Sequence, residues 1–324
     1  MLGVEVPLLQ APVGGLTCPD LVAAVSNAGG LGTLSATWRT PAETRDAVVR
    51  IKQLTRRPFG VNFVLRWDPA AGIDVCLAAQ VPLVWLSWGD PAAFVPRLHA
   101  GGSRVAVTIA SQREAERALE AGADVLVAQG WEAGGHLQGN VGLMALIPRI
   151  VDVAGPVPVV AAGGIADGRG FAAALILGAA GVSMGTRFVA SEEAFAHHGY
   201  KERLTTAGVD DTVVTTVFDG GWPDEPHRVL GEGTHATWIA AGRPAPGMRP
   251  GEGEVLATRQ GQTITRYHND APTADVSGRF EEMALYAGQG VGLIDAVEPA
   301  GAIVRKTWQQ VHERLKLGCC FPQS

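Results

Sequence analysis

Cysteine is scarce. Four occur in 324 residues, at Cys18, Cys76, Cys319 and Cys320, and none form a C-x-x-C pair. Cys319 and Cys320 are adjacent, where a bond between neighbours would be strained. Reduced thiols and a cytoplasmic setting are therefore expected. No apolar run is long enough to span a bilayer, and no basic start followed by an apolar core marks a signal peptide, so no membrane partner is expected. Lys and Arg total 26 against 32 Asp and Glu, a net charge of -6, and the basic residues are scattered. Without a basic stripe the chain offers no footprint for nucleic acid. Several catalytic signatures are missing too: there is no H-E-x-x-H, no Cys/His cluster at metal spacing, no Walker A and no nucleophile elbow. No metal site is expected, and the adjacent His197 and His198 read as surface because neighbours on a helix point apart.

What remains is a hydrophobic content of 47% and 42 glycines at punctuating positions. Short β-branched runs alternate with Ala-rich amphipathic runs over the first 190 residues or so. Candidate strands are Pro7–Pro12, Leu31–Ala36, Phe59–Leu65, Leu83–Trp88, Arg104–Ala110, Val125–Gln129, Val157–Ala162 and Val182–Phe188. Candidate helices between them are Pro19–Ala28, Pro41–Leu54, Pro69–Ala79, Pro91–Ala100, Ser111–Ala121, Gly142–Val153 and Gly168–Leu177. Near-continuous apolar strands joined by helices indicate a parallel sheet covered on its faces, and eight such units indicate a closed (β/α)8 TIM barrel, an α/β fold. Residues 1–204 then hold the main part of the barrel. Residues 205–270, rich in Gly, Pro and charge, read as an insertion after strand 8 packed across one barrel face, a lid segment. Helical pattern returns at Arg279–Ala287 and Asp295–Leu317, so 271–324 reads as C-terminal helices completing the barrel.

Active sites of such barrels lie at the C-terminal strand ends, and the unusual residues fall there. After the sixth strand comes Gln129-Gly130-Trp131-Glu132-Ala133-Gly134-Gly135-His136, where a glycine pair lets backbone approach a ligand and His136 follows at once. The loops Gly163-Gly164-Ile165-Ala166-Asp167-Gly168 and Ser183-Met184-Gly185-Thr186 leave the last two strands. Their N–H groups and hydroxyls suit a phosphate, the usual ligand of that pair of loops. Pro12, Val13 and Gly14 leave strand 1. Asn62 sits inside strand 3, where a buried amide needs a partner, either a ligand or the backbone. Trp85, Trp88 and Trp131 either line an apolar pocket or pack under the lid.

These motifs, with Ser26-Asn27-Ala28-Gly29-Gly30-Leu31-Gly32, Gly60-Val61-Asn62 and Tyr286-Ala287-Gly288-Gln289-Gly290, resemble the nitronate monooxygenase family, formerly the 2-nitropropane dioxygenases. The resemblance covers nearly the whole chain. It implies FMN as cofactor, held at Asn62, Gln129, Gly134, Gly164, Ser183, Met184, Gly185 and Thr186. Pro12, Val13, Gly14, Gly135 and Gly163 belong to the same set of mouth loops. It implies His136 as the catalytic histidine, a nitronate or nitroalkane as substrate and O2 as oxidant. The E-A-G-G-H loop also occurs in related flavin-dependent enoyl-ACP reductases. An NAD(P)H-dependent reductase of an activated alkene is thus the alternative, and a flavin-binding carrier or sensor without turnover a third reading. Two residues, Leu137 and Gln138, separate His136 from Gly139 where many members have one, and Ser183 stands where Gln is frequent. The sequence leaves open whether the chain forms a homodimer.

Overall fold

The computed structural model describes residues 2–318, so Cys319 and Cys320 lie outside it. Eight parallel strands form the barrel wall: β1 (Leu8–Gln10), β2 (Thr33–Ser35), β3 (Gly60–Val64), β4 (Leu83–Ser87), β5 (Arg104–Ile109), β6 (Val125–Gln129) and, after the two-residue strand β7 (Gly135–His136) that stands outside it, β8 (Val159–Ala162) and β9 (Gly181–Met184). The pairing runs β1-β9-β8-β6-β5-β4-β3-β2. The seam between β1 and β2 closes through a parallel bridge at Leu9 and Leu31, with Gln10 N donating to Leu31 O and Leu31 N to Leu8 O, both at 2.9 Å. The Gln10 side chain extends that seam, its Oε1 accepting from Thr33 N at 3.0 Å.

Residues along each strand alternate between the barrel interior and the helical layer. Leu9, Leu31, Leu83, Trp85, Val125, Val127 and Val160 fill the interior as one apolar cluster. Leu34, Val61, Phe63, Val84, Leu86, Val107 and Leu126 face outward into the main core. The covering helices are α1 (Pro19–Asn27), α2 (Pro41–Leu54), α3 (Ala70–Ala78), α4 (Val95–Ala100), α5 (Gln112–Glu120), α6 (Leu143–Ala154) and α7 (Gly168–Ile176). Their starts carry readable caps. Thr40 and Glu43 make a capping box on α2, Ser111 caps α5, and Asp167 Oδ1 caps α7 through Arg169 N at 2.9 Å.

Beyond β9 come α8 (Thr186–Val189), α9 (His198–Thr206), the antiparallel pair β10 (Thr212–Thr215) and β11 (His227–Leu230), and α10 (Gly233–Ala240). Strands β12 (Val255–Arg259), β13 (Gln262–Thr265) and β14 (Val276–Gly278) form a small antiparallel sheet. The last helix, α11 (Ala300–Gly318), supplies the eighth cover, packing between α7 and α1. It lies so close to the start of α7 that a Cβ on Gly168 would come 2.3 Å from Gln310 Cβ. Among the described residues no helix is long and apolar enough to cross a membrane.

Three expectations need correction. The eighth strand stops at Met184 rather than Phe188, because Gly185 caps the short helix α8. The segment Arg279–Ala287 is not a helix beyond a 3-10 turn at Phe280–Glu282. Its remainder is extended because β11 claims its backbone: Leu230 N donates to Leu285 O at 2.9 Å and Ala287 N to Arg228 O at 3.3 Å. Finally, His197 is half-buried rather than a surface residue, since it caps α9 and stacks on Phe280 at 4.3 Å.

Candidate active site

The alternation that fills the barrel with leucine and valine ends, at the mouth, in polar residues. Ser35, Asn62, Ser87, Thr108, Gln129 and Ser183 face inward at or near the C-terminal ends of six strands, and all line one cavity of about 500 Å3. Asn62 Nδ2 donates to Trp85 O at 2.9 Å and to Ser87 Oγ at 3.1 Å. Ser87 Oγ meets Thr108 Oγ1 at 2.9 Å, and Trp85 Nε1 donates to the same hydroxyl at 2.8 Å. The amide of Asn62 is therefore oriented by the wall itself. Ser183 Oγ differs: it is buried without a partner.

One end of the cavity is built from backbone. Gly163 (φ +120°) and Gly164 (φ +65°) take conformations that side chains resist, and a Cβ on Gly164 would stand 2.9 Å from Glu132 Cβ. Gly134 is equally constrained, since its Cβ would meet Gly288 N at 2.4 Å. The N–H groups of Gly164, Gly185 and Thr186 donate to nothing within the described residues. Unpaired donors beside the start of a helix favour an anion. Thr186 Oγ1 accepts from Gly288 N at 3.0 Å, which fixes the late Tyr286–Gly290 motif over these loops. Pro12, Val13 and Gly14 close this side, and Gly135 lies beside His136. Met184 is the exception among the sequence candidates. Its side chain is 1% exposed and turned into the outer core, so only its backbone reaches the mouth.

The other end is aromatic. His136 stacks on Trp222, with ring centroids 4.1 Å apart and an interplanar angle of 19°. Trp222 meets Trp67 at 5.0 Å and Trp88 at 4.9 Å, and Trp38 meets Trp67 at 5.5 Å, all edge to face. The His136 Nε2 and the Trp222 Nε1 are both buried with no partner. Burial, and secondarily His227 at 5.2 Å, pushes the His136 pKa down to about 3. The imidazole is therefore neutral at ordinary pH. Burial likewise lowers His227 to about 4. The His227 Nε2 accepts from Phe218 N at 3.4 Å, which also favours the neutral ring, while the Glu225 carbonyl 2.9 Å from Nδ1 works in the opposite direction.

The loop carrying His136 is fixed from three sides. Gln129 spends both ends of its amide on it, Nε2 donating to His136 O at 3.0 Å and Oε1 accepting from Gln138 N at 2.8 Å. Glu132 caps α6, accepting from Leu143 N at 3.0 and 3.1 Å. Strand β11 pairs with β7, setting His227 opposite His136, and Arg228 reaches beneath the loop to Trp131 O at 2.8 Å and Ala133 O at 3.2 Å. Trp131 lies against that guanidinium, 5.5 Å away, and not in the cavity. Sequence reasoning brought together the barrel loops but missed Trp222, His227, Arg228 and the lining residues His268–Asp270, all contributed by the insertion. A single sequence carries no sign of which barrel loop an inserted strand joins.

The family model described as nitronate monooxygenase matches residues 1–73 and 68–310. A "(3aS,4S,5R,7aS)-5-hydroxy-7a-methyl-1-oxo-octahydro-1H-indene-4-carboxyl-CoA dehydrogenase" of Mycobacterium tuberculosis is 40% identical over 235 residues, 71% of this chain but only 64% of that relative's length. A probable nitronate monooxygenase of Staphylococcus aureus is 36% identical, with 68% of this chain and 75% of that one covered. Among solved structures, FabK from Thermotoga maritima superposes with a TM-score of 0.82 at 34% identity, covering 98% of this chain and 96% of that one.

Proposed function

The chain belongs to the nitronate monooxygenase family, and on that premise we propose that it is a flavin-dependent oxidoreductase that oxidises alkyl nitronates with FMN as cofactor and O2 as final oxidant. The observation that carries this reading is one cavity with two chemically opposite ends: unpaired backbone donors at Gly164, Gly185 and Thr186, and a neutral histidine against tryptophan. The residues fit the group. Gly163, Gly164, Gly185 and Thr186 would hold the phosphate of FMN, and the orphaned Ser183 Oγ offers a further hydrogen bond. Pro12, Val13, Gly14, Asn62, Gln129, Gly134 and Gly135 would wall the ring system. When bound, the flavin supplies a two-electron acceptor that O2 reoxidises.

The state of His136 bears on which form of substrate reacts. A histidine pushed down to about 3 is a poor base for the α-proton of a neutral nitroalkane. A nitronate has already lost that proton. His136 is then left one task, donating Nε2–H to a nitronate oxygen, and the aromatic wall keeps water from competing.

A second reading is favoured by the CoA-ester dehydrogenase at 40% identity: exchange of hydrogen with an activated alkene or cyclic acyl thioester, with NAD(P)H as partner. One experiment separates the two. The flavin-loaded protein is mixed anaerobically with propyl-2-nitronate, and separately with NADPH, while the flavin absorbance is followed. Bleaching by the nitronate, reversed by O2, supports the first reading. Failure to bleach, with no aerobic turnover, sinks it, and rapid bleaching by NADPH supports the second.

A further inference from the structure

We propose that Trp222 is a substrate-binding residue, its indole N–H acting with His136 Nε2–H as a pair of donors that grips the two oxygens of a nitronate. This deepens the reading above by assigning an anion clamp to the same site. Trp222 lies outside every barrel motif. It reaches the cavity from the insertion, and a tight turn fixes it there. Gly220 N donates to Tyr267 O and Asn269 N to Gly220 O, both at 3.0 Å, Gly221 takes φ +99°, and Trp222 N donates to Asp219 O at 3.2 Å.

Two facts about the indole do not fit a packing role alone. The first is its N–H. Trp222 is 2% exposed, and Nε1 has no acceptor. Buried tryptophans ordinarily find one, as Trp85 does here through Thr108 Oγ1 at 2.8 Å, and even the half-buried Trp238 donates to Pro244 O at 3.0 Å. The second is the company it keeps. The unpartnered nitrogen of His136 is on the ring stacked 4.1 Å away, so two nitrogens with no partner among the described residues sit on stacked rings that both line the cavity. Such a pair is incomplete without an acceptor, and it suits one with two oxygens on a single atom. A nitronate carries its negative charge on two oxygens of that kind. A carboxylate has the same shape and charge, which supplies an inert probe. Edge contacts with Trp67 and Trp88 keep the indole in place and exclude water, so both donors act in a low dielectric.

The test uses flavin-loaded protein and two replacements. Trp222→Phe keeps the stack on His136 and removes the N–H. Replacement of Trp222 by 3-benzothienylalanine keeps the bicyclic ring and puts sulfur where the N–H was, so it decides the matter if the phenylalanine variant fails to fold. Two quantities are read: kcat/KM for propyl-2-nitronate, and the Kd of propionate from the shift it causes in the flavin spectrum. Loss of one donor to a charged oxygen is expected to lower kcat/KM roughly 10- to 100-fold and to weaken propionate by a similar factor, with flavin content unchanged. Variants that match the parent in both measurements overturn the proposal and leave Trp222 a packing residue. If the parent does not turn over nitronate, the reading of the reaction fails. The clamp then still stands if propionate binding drops in both variants, and falls if propionate does not bind the parent or binds all forms alike.

Discussion

Arg228 offers the sharpest test of how the insertion governs the His136 loop. Arg228 is 3% exposed, and among the described residues it makes no ion pair, the Glu132 carboxylate acting on it only through longer-range attraction. The guanidinium is matched instead by dipoles: Trp131 O at 2.8 Å, Ala133 O at 3.2 Å, Thr212 Oγ1 at 3.5 Å and the face of Trp131. Burial lowers its pKa, the mark of a cation held at a cost. Such a group persists where removing it costs more. Arg228→Met keeps the aliphatic stem and leaves the carbonyls of Trp131 and Ala133 without donors. Each orphaned carbonyl costs about 1–3 kcal/mol, and relief of the buried charge offsets part of the sum, for a net loss of about 3 kcal/mol. With an unfolding entropy of about 2.1 cal/mol/K per residue over 324 residues, that is a fall of about 4 °C in Tm.

The same change loosens the loop three residues before His136, so kcat/KM is expected to fall about 10-fold through misplacement of the imidazole. Thermal unfolding followed by circular dichroism, beside steady-state turnover of nitronate, measures both. Arg228→Lys should fall between, since a single ammonium cannot reproduce the fork that meets two carbonyls. An Arg228→Met protein that melts within about 1 °C of the parent and turns over normally would refute the claim that this cation holds the loop.

Acid should unfold the protein early. His136 and His227 have folded pKa values of about 3 and about 4, below the 6.5 of a free histidine. The unfolded chain therefore takes up protons first, and stability present above pH 6.5 is lost as pH falls, by about 2 kcal/mol for each histidine at pH 5. Urea midpoints across that range should show it, and His136→Asn should flatten the slope; an unchanged slope counts against a neutral buried His136. Gly164→Ala places a Cβ 2.9 Å from Glu132 Cβ at φ +65° and should weaken flavin binding at least about 10-fold by fluorescence titration, whereas unchanged affinity would remove this loop from the phosphate site. Gln129→Met leaves His136 O and Gln138 N without their partners and should lower kcat/KM about 10-fold with flavin still bound; loss of flavin instead would mean that the amide serves the cofactor directly.

The barrel was legible because its signals are local. Apolar strands and the Gly that follows helices such as α1, α5 and α7 each specify their own unit, and the eightfold repetition specifies closure. The backbone of the loop after β8 was legible for the same reason, since Gly163 and Gly164 mark conformations that only glycine adopts readily. The failures are where partners are distant in sequence. The run Arg279–Ala287 has helical pattern, yet β11, some fifty residues earlier, takes its hydrogen-bonding groups. The resemblance implies Gln129 as a cofactor contact, and what the folded loop adds is that both ends of its amide also hold the His136 loop. Nothing adjacent to His136 in sequence announces Trp222 or His227, which meet its ring in the fold.

Those distant partners explain how one loop can serve more than one reaction. Strand β7 belongs both to the E-A-G-G-H loop and, through β11, to a three-stranded sheet of the insertion. The barrel fixes where His136 stands, because Gln129 and Glu132 tie its loop to the end of β6 and the start of α6. The insertion fixes what His136 meets: Trp222 against its ring, His227 behind it, Arg228 beneath its loop. A change in residues 205–270 can therefore alter the polarity, hydration and hydrogen-bonding company of the imidazole while every barrel contact stays in place. Under the proposed reading the barrel motifs carry the place of reaction and the cofactor's phosphate end, and the choice between gripping a two-oxygen anion and reducing an alkene would lie with the insertion, first with the N–H of Trp222.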